Sequence, residues 1–275
     1  MLARRNTLYR LNNGDTVLIL TGDYHTHSPY SHGKSTIMEN AVRAKELGLK
    51  EIAITDHGYT HVAFGLKRKE TQDYIKECKD AQDKFGVRVL VGIEANILGV
   101  EGRSDLSERD FENFDVYLAG NHIAVKYAGW KNFWGYGLAN IVPRKLKMKP
   151  SDALIQRNTN AYINTIKNNP LDAVTHLNFL CPSNTLEVAK CAEDYGTYIE
   201  LNSKKQHLTD EELCEIAQKT NVRFIINSDA HGAHRVGDTA SVEQQLSRID
   251  FPLDRIDNIE GRTPNFRFTQ FKKGM

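Results

Sequence analysis

The chain has 275 residues, which suffices for one large α/β domain and does not require a second. Its 36 basic and 35 acidic side chains nearly cancel, which argues against a protein that coats a polyanion through a general excess of positive charge. The four cysteines form no CxxC pair, no apolar segment follows the basic N-terminal residues, and no run approaches the ~20 apolar residues of a membrane span. We therefore expect a cytoplasmic protein with reduced cysteines and no membrane partner.

Apolar, strand-like runs alternate with stretches of helical periodicity along the chain. The runs are VLILTGDYHTH, EIAITDHG, VRVLVGIEANI, FDVYLAGNH, DAVTHLNF, TYIELNS and RFIINSDAH. The predicted helices cover 35–48, 69–85, 151–168, 184–195, 209–220 and 239–248. In the first helix, Ser35 is placed to cap the N-terminus and Gly48 to end it. This rhythm is typical of βαβ units and favours a single-domain (β/α)7 barrel over residues 1–275, with an open sheet as the alternative.

Six of these apolar runs, all except TYIELNS, end on or close to residues that can bind a metal ion. These residues are His25, His27, His32, His57, Glu94, His122, His176, Asp229 and His231. In parallel barrels the chemistry gathers at the carboxyl ends of the strands, so we expect these side chains to meet there. Seven of the ten histidines hold matched positions in the rhythm, which scattered core histidines would not do. By the same reasoning His61, His207 and His234, which lack that placement, are predicted to be surface groups, although His234 follows the SDAH motif closely and could touch substrate.

Local spacing adds detail to this metal-site hypothesis. His25 and His27 are two apart near a strand end, so both imidazoles can point to the same side, and Asp229-x-His231 repeats the arrangement. Of the adjacent pair Asp56 and His57, we expect His57 to be the ligand and Asp56 to orient an imidazole from behind. Glu94 lies in a strongly apolar run, where an unpaired carboxylate would be costly, and it could bridge two cations.

The segment 123–150 interrupts the rhythm and is predicted to be a loop insertion near the site. No acidic residue occurs between Asp115 and Asp152, and the segment 123–150 contains six basic and five aromatic residues. One interpretation is a surface excursion whose aromatic rings pack on the body of the protein. The other is a basic, aromatic lid over an anionic substrate.

The motifs DYHTHS, HGKST, ITDHG, GIEANI, GNH, THLNF and NSDAH, in this order between about residues 22 and 240, resemble those of the PHP (polymerase and histidinol phosphatase) family. The spacing of HGKST after HTH is similar to that of stand-alone, phosphatase-like members. The resemblance implies a distorted (β/α)7 barrel that holds three divalent metal ions, usually zinc, manganese or iron. It also implies three ligand sets: His25, His27, Glu94 and Asp229; Glu94, His122 and His176; and His32, His57 and His231.

These residues favour a phosphatase that cleaves a small phosphomonoester, similar to histidinol-phosphate phosphatase. We expect in-line attack by metal-bound hydroxide, with Glu94 bridging two ions and Asp229 orienting the nucleophile. Lys34, Arg103, Lys204 and Arg235 are candidate phosphate-binding cations, and Lys34 and Arg235 are preferred because they directly follow ligand motifs. The alternatives are a nuclease or nucleotide phosphatase on the same metals, a hydrolase of C–N bonds, and a non-catalytic metal-binding module. Nucleic acid is therefore a less favoured partner than a small phosphorylated substrate.

Overall fold

A computed structural model describes residues 17–275 of the chain. Its seven strands are β1 (Gly22–Thr26), β2 (Glu51–Ile54), β3 (Arg88–Asn96), β4 (Val116–Gly120), β5 (Ala173–Val174), β6 (Tyr198–Asn202) and β7 (Phe224–Asn227). Its helices are α1 (Ile37–Glu46), α2 (Thr71–Phe85), α3 (Trp130–Asn132), α4 (Ala139–Lys145), α5 (Asp152–Asn168), α6 (Thr185–Tyr195), α7 (Asp210–Lys219), α8 (Ala240–Leu246) and α9 (Arg267–Lys273). None of the helices in this part of the chain combines the length and hydropathy that a membrane crossing requires.

The strands form one parallel sheet in sequence order, β1 to β7, and helices separate most of them along the chain. The sheet curls into a nearly closed barrel, and an isolated parallel bridge between Thr26 and Ala230 joins its two ends. The predicted (β/α)7 barrel is therefore confirmed. Because all strands run in the same direction, their carboxyl ends share one rim.

Polar side chains complete the seam between β1 and β7, where the ladder of backbone hydrogen bonds is sparse. Asn258 donates to the carbonyls of Gly22 at 2.9 Å and Ile226 at 2.6 Å, and it accepts from the Ile226 amide at 2.9 Å. The Asp23 carboxylate accepts from the amide and hydroxyl of Ser228 on the other side of the seam. These buried groups thus supply part of the hydrogen bonding that a continuous ladder would give.

The amino-terminal half of the barrel interior is apolar and includes side chains from every strand. They are Tyr24, Ala53, Leu90, Val116, Leu118, Ala173, Tyr198 and Ile225, and Phe266 packs with them. The ring of Phe266 meets that of Tyr24 edge-on, with centroids 4.9 Å apart. A larger apolar cluster lies between the strands and the surrounding helices. This packing supports the polar rim from below.

The six predicted helices are present, and none of their ends is shifted by more than two residues. The predicted cap of α1 is wrong, because Thr36 rather than Ser35 caps it, in a capping box with Glu39. The Ser35 hydroxyl instead accepts from the Ala233 amide at 3.0 Å, which ties the start of α1 to the loop after β7. Gly48 follows α1 in the left-handed region (φ 73°), as expected for the end of a helix.

The segment 123–150 differs from the predicted loop because much of it is helical. Helix α3 leads into a π-helical turn over Phe133–Leu138 and then into α4, which contains Pro143. Tyr136 is buried and donates a hydrogen bond to Asn121, whereas Trp130 and Trp134 are exposed. The segment therefore packs on the barrel through some of its aromatic rings and leaves others facing outward.

Candidate metal centre

Alternation along the strands turns polar side chains into the barrel at its carboxyl-terminal rim. On β3 the inward positions run from Leu90 through Gly92 to Glu94 and Asn96, and on β6 they run from Tyr198 to Glu200 and Asn202. The same inward face is thus apolar below and polar above. Carboxylates and amides are thereby placed where ligands from other strands converge.

An irregularity in β1 allows two adjacent side chains to point inward. Its pairing with β2 changes register between Asp23 and Thr26. As a result, the Tyr24 hydroxyl donates to Glu51 at 2.6 Å while the neighbouring His25 places Nδ1 2.7 Å from Glu200 Oε1. His25 therefore reaches the centre even though Tyr24 belongs to the apolar layer.

Glu94 is fully buried at the middle of the site, and imidazoles from several strands surround its carboxylate. Oε1 lies 2.7 Å from His176 Nε2 and 3.2 Å from His122 Nε2. Oε2 lies 2.8 Å from His57 Nδ1 and 3.3 Å from His25 Nε2. The two oxygens thus face different pairs of histidines, which is the arrangement that a carboxylate between two cations needs.

The remaining predicted ligands adjoin this centre. His27 Nε2 is 3.4 Å from Asp229 Oδ1 and 3.8 Å from Glu94 Oε2. On the other side, His231 Nε2 lies 2.7 Å from His32 Nε2, and the rings of His32 and His57 are stacked with centroids 4.8 Å apart. All nine residues predicted from strand ends are therefore gathered in one place.

Several donor atoms of these residues are buried and make no well-formed hydrogen bond among residues 17–275, although some lie close to the Glu94 carboxylate. They are His25 Nε2, His27 Nε2, His32 Nδ1, His57 Nδ1, Glu94 Oε2, His122 Nε2 and His176 Nδ1. Unpaired buried polar atoms are costly, and so many in one cluster are exceptional. Three overlapping triads have ligand atoms within 4.8 Å of one another: His27, His57 and His231; His25, His27 and Asp229; and His57, Glu94 and His122. The donor set therefore fits divalent cations with nitrogen and oxygen ligands.

Burial and mutual contacts set the charge states that metal binding requires. Burial lowers the pKa of His27 to about 3 and that of His32 to about 4, so both imidazoles are neutral at pH 7. Burial opposes ionisation of Glu94, but interactions with His122, His25 and His57 hold the pKa of its carboxylate well below the usual value. His27 and His32 thus offer neutral imidazole lone pairs, and Glu94 offers an ionised carboxylate.

Glu200 was not predicted from the sequence, although it orients two of the candidate ligands. Besides its contact with His25, it accepts from the His176 amide at 2.7 Å through Oε2. Because a carboxylate only accepts, His25 donates from Nδ1 and presents Nε2 to the centre. Burial would raise the pKa of Glu200, but His25 and other hydrogen bonds hold it below its usual value. The signal was an acid inside a buried run, TYIELN, the same signal that identified Glu94.

Two other polar groups support ligands from behind. Asn96 Oδ1 lies 2.8 Å from His122 Nδ1 and so fixes the orientation of that ring. Asp56, which we expected to orient an imidazole, lies 4.0 Å from His27 Nδ1. Its carboxylate accepts from the hydroxyls of Ser28 and Ser31, and Ser31 Oγ is 3.5 Å from the same His27 nitrogen. Asp56 therefore acts on His27 through a serine.

The centre opens into a cavity of about 410 Å³. Some of the residues in its wall were not expected there from the sequence. His61 and His207, predicted to be surface groups, are half-buried and line it, so that prediction was wrong, while His234 is exposed as expected. Lys204 also lines the cavity, and its Nζ lies 3.1 Å from Asp229 Oδ1.

Lys34 and Arg235, the two cations that the sequence favoured for phosphate binding, lie outside this cavity. The Lys34 side chain is exposed and does not line the cavity, and Arg235 pairs with Asp238 at 2.9 Å. Sequence proximity to a ligand motif therefore did not place either side chain in the wall. The exposed rings of Trp130 and Trp134 do not line this cavity either.

Comparison with known proteins places this geometry in a family. The family model described as PHP domain matches residues 23–208, which contain seven of the nine gathered residues. The chain belongs to the PHP family. It is 32% identical over 259 residues to a protein of Caldanaerobacter subterraneus subsp. tengcongensis named as a probable phosphatase, covering 89% of each chain. A relative with the same description from Acetivibrio thermocellus is 30% identical over 250 residues, covering 86% of this chain and 90% of the relative.

A solved PHP-like structure has the same fold. The histidinol phosphate phosphatase of Lactococcus lactis, crystallised with zinc, L-histidinol and phosphate, aligns with a TM-score of 0.57 and 16% identity. The alignment covers 88% of this chain and 97% of that one. At this identity the likeness concerns the barrel fold.

Proposed function

We propose that this PHP-family protein is a metal-dependent phosphatase that hydrolyses a small phosphomonoester. The observation that carries the proposal is the position of Glu94, whose two oxygens face separate pairs of imidazoles at the floor of an open cavity. A volume of about 410 Å³ suits a small molecule rather than a folded partner. Relatives that match most of the chain are named as probable phosphatases, which supports the same conclusion.

The nine gathered residues would hold three divalent ions. One set is His25, His27, Glu94 and Asp229, a second is Glu94, His122 and His176, and a third is His32, His57 and His231. The contacts of Glu94 support the division between the first two sets, and the contact between His32 and His231 supports the third. Zinc, manganese and iron all accept such donors. When bound, these ions activate water at neutral pH and offset the negative charge of the phosphoryl group.

Asp229 and Lys204 complete the chemistry at the cavity wall. Burial would raise the pKa of Asp229, but His25, His231 and His27 hold it well below the usual value, so its carboxylate is an ionised acceptor. It can accept a hydrogen bond from the attacking water and orient it for in-line attack. Lys204, beside it, offers a cation to a phosphate oxygen, and we favour it over Lys34 and Arg235 in this role.

The test is hydrolysis by metal-loaded protein of p-nitrophenyl phosphate and histidinol phosphate, set against bis(p-nitrophenyl) phosphate and short oligonucleotides. We expect turnover of monoesters, and a loss of at least about 100-fold in Glu94→Gln, since one removed ligand disturbs two ions. Glu112→Gln, at an exposed carboxylate, is the matched control. Turnover restricted to diesters, or an unaffected Glu94→Gln enzyme, would contradict the proposal.

The alternative function is a nuclease or nucleotide phosphatase on the same metals. The exposed rings of Trp130, Phe133 and Trp134 favour it, because they lie on a segment without acidic residues and could stack on bases. A steep fall of activity with salt would indicate an extended polyanion. We expect a shallow salt dependence, because these rings lie outside the cavity that contains the candidate ligands.

A further inference from the structure

A second cavity opens directly beside the candidate metal centre. Its volume is about 400 Å³, close to that of the first cavity, and the two share Phe179, Leu180, Lys205 and His207 in their walls. A substrate that places its phosphate at the metal centre can therefore extend its alcohol portion into this adjoining cavity. The sequence had not indicated such a space.

The loop after β5 forms the boundary between the two cavities. Three of its residues, His176, Asn178 and Leu180, have positive φ angles of 31°, 74° and 63°. Residues other than glycine adopt this region at a cost and only where the surroundings hold them. Asn178 does so here, because its side chain accepts from the Ser183 amide at 2.9 Å and donates to Glu212 at 2.9 Å. The boundary is therefore fixed in shape.

The insertion 123–150 supplies the opposite wall of the adjoining cavity. Pro143, Arg144 and Met148 line it from α4 and the residues that follow, and Leu154 lines it from α5. The wall is thus partly apolar. The insertion reaches the substrate region through this helix and not through its exposed tryptophans.

Away from the metal centre, the charged side chains that line the two cavities are all basic. Arg144 and Lys205 line the adjoining cavity, and neither side chain forms an ion pair with another residue in 17–275. Among the described residues that line either cavity, the carboxylates are Glu94 and Asp229, and both are engaged by histidines. A substrate ammonium would therefore lack a free counter-charge, whereas a second anion would meet two cations.

We propose that the adjoining cavity binds the alcohol portion of the phosphomonoester and selects one that carries a second anionic group on a partly apolar body. The proposal rests on the proposed phosphatase function and specifies the substrate class of that site. It disfavours amino alcohols such as histidinol, whose phosphate ester bears an ammonium group. The second anionic group of the substrate can be a carboxylate or a second phosphate, since both are negatively charged. The apolar wall would contact the part of the substrate that joins this group to the phosphate ester.

The test is a calorimetric binding series with phosphonates, which cannot be hydrolysed. The probes are benzylphosphonate, its 4-carboxy, 4-carboxymethyl and 4-phosphonomethyl derivatives, and 4-(aminomethyl)benzylphosphonate, measured on metal-loaded protein. We expect at least one of the anionic derivatives to bind about tenfold more tightly than the parent, as two partly exposed ion pairs can give, and the ammonium derivative more weakly. The carboxylate and phosphonate arms distinguish the two sources of the anion.

The double variant Arg144→Gln/Lys205→Gln should abolish the advantage of the anionic probes, measured within that variant as the ratio of their Kd to the Kd of the parent. Lys145→Gln, at an exposed neighbour outside both cavity walls, is the control. Equal binding of all probes by the wild type, or an anion preference that survives in the double variant, would overturn the proposal. Hydrolysis of phenyl phosphate reports separately on the phosphatase function, so a preserved anion preference without turnover would contradict that function alone.

Discussion

At the scale of single residues, Glu200 is the supporting group whose contribution can be measured most cleanly. Both of its oxygens accept hydrogen bonds, from His25, Asn227, the His176 amide and Asn202. In Glu200→Gln the side-chain NH2 group would lie against N–H groups that now donate to the carboxylate. His25 Nδ1 would then lose the acceptor that fixes its tautomer. We expect metal affinity to fall by about 10- to 100-fold in a competition titration. Glu211→Gln, at an exposed carboxylate, should bind metal like the wild type, and equal affinity in both variants would contradict this role.

A second residue-scale prediction concerns Gly120 at the end of β4. A Cβ at this position would lie 2.6 Å from His176 Cε1 and would also meet the Thr175 hydroxyl, so the imidazole would have to move. We expect Gly120→Ala to lower metal content and phosphatase activity by at least about tenfold while the barrel remains folded. In Gly135→Ala the nearest atom to the new Cβ is 3.6 Å away, so that variant should keep full metal content. Full metal content in Gly120→Ala would show that this close approach is unimportant.

At the scale of elements, the seam between β1 and β7 determines whether the rim can form. Asn258→Ala would remove three buried hydrogen bonds to Gly22 and Ile226 and leave their backbone groups unpaired. We expect the free energy of unfolding to fall by about 3 to 5 kcal/mol in chemical denaturation. Asn265→Ala, at an exposed position, should stay within about 0.5 kcal/mol of the wild type. A similarly small change in Asn258→Ala would mean that the seam does not depend on this side chain.

The elements also show how far the sequence predicts the structure. The strands and six helices could be predicted because apolar periodicity and capping residues are local signals, and the strand-end ligands followed from them. The helices of the insertion were missed because their large apolar residues, such as Trp130 and Val142, face outward and Pro143 lies within α4. The sequence favoured Lys34 over Lys204 as a phosphate-binding cation, whereas Lys204 lines the cavity. Which lysine reaches the cavity depends on how distant loops pack, and local sequence signals do not reveal this.

At the scale of the whole molecule, folding and metal binding are expected to be coupled. The candidate ligands are far apart in the sequence, from His25 to His231, and several of their buried donor atoms make no well-formed hydrogen bond among the described residues. Ions present at about 100 times their Kd would each add about 2.7 kcal/mol to stability. We therefore expect a chelator to lower Tm by at least about 5 °C in a thermal scan. The Glu94→Gln variant should respond less, and an unchanged Tm in the wild type would contradict the coupling.

We propose above all that distant strand ends of this protein enclose one cluster of three divalent ions. The most direct measurement is a crystal structure of the metal-loaded protein, with anomalous scattering recorded at the absorption edge of the metal. We expect three anomalous peaks within bonding distance of the nine gathered residues, with Glu94 contacting two of them. A folded protein saturated with divalent metal that shows no peak among these side chains would contradict the account.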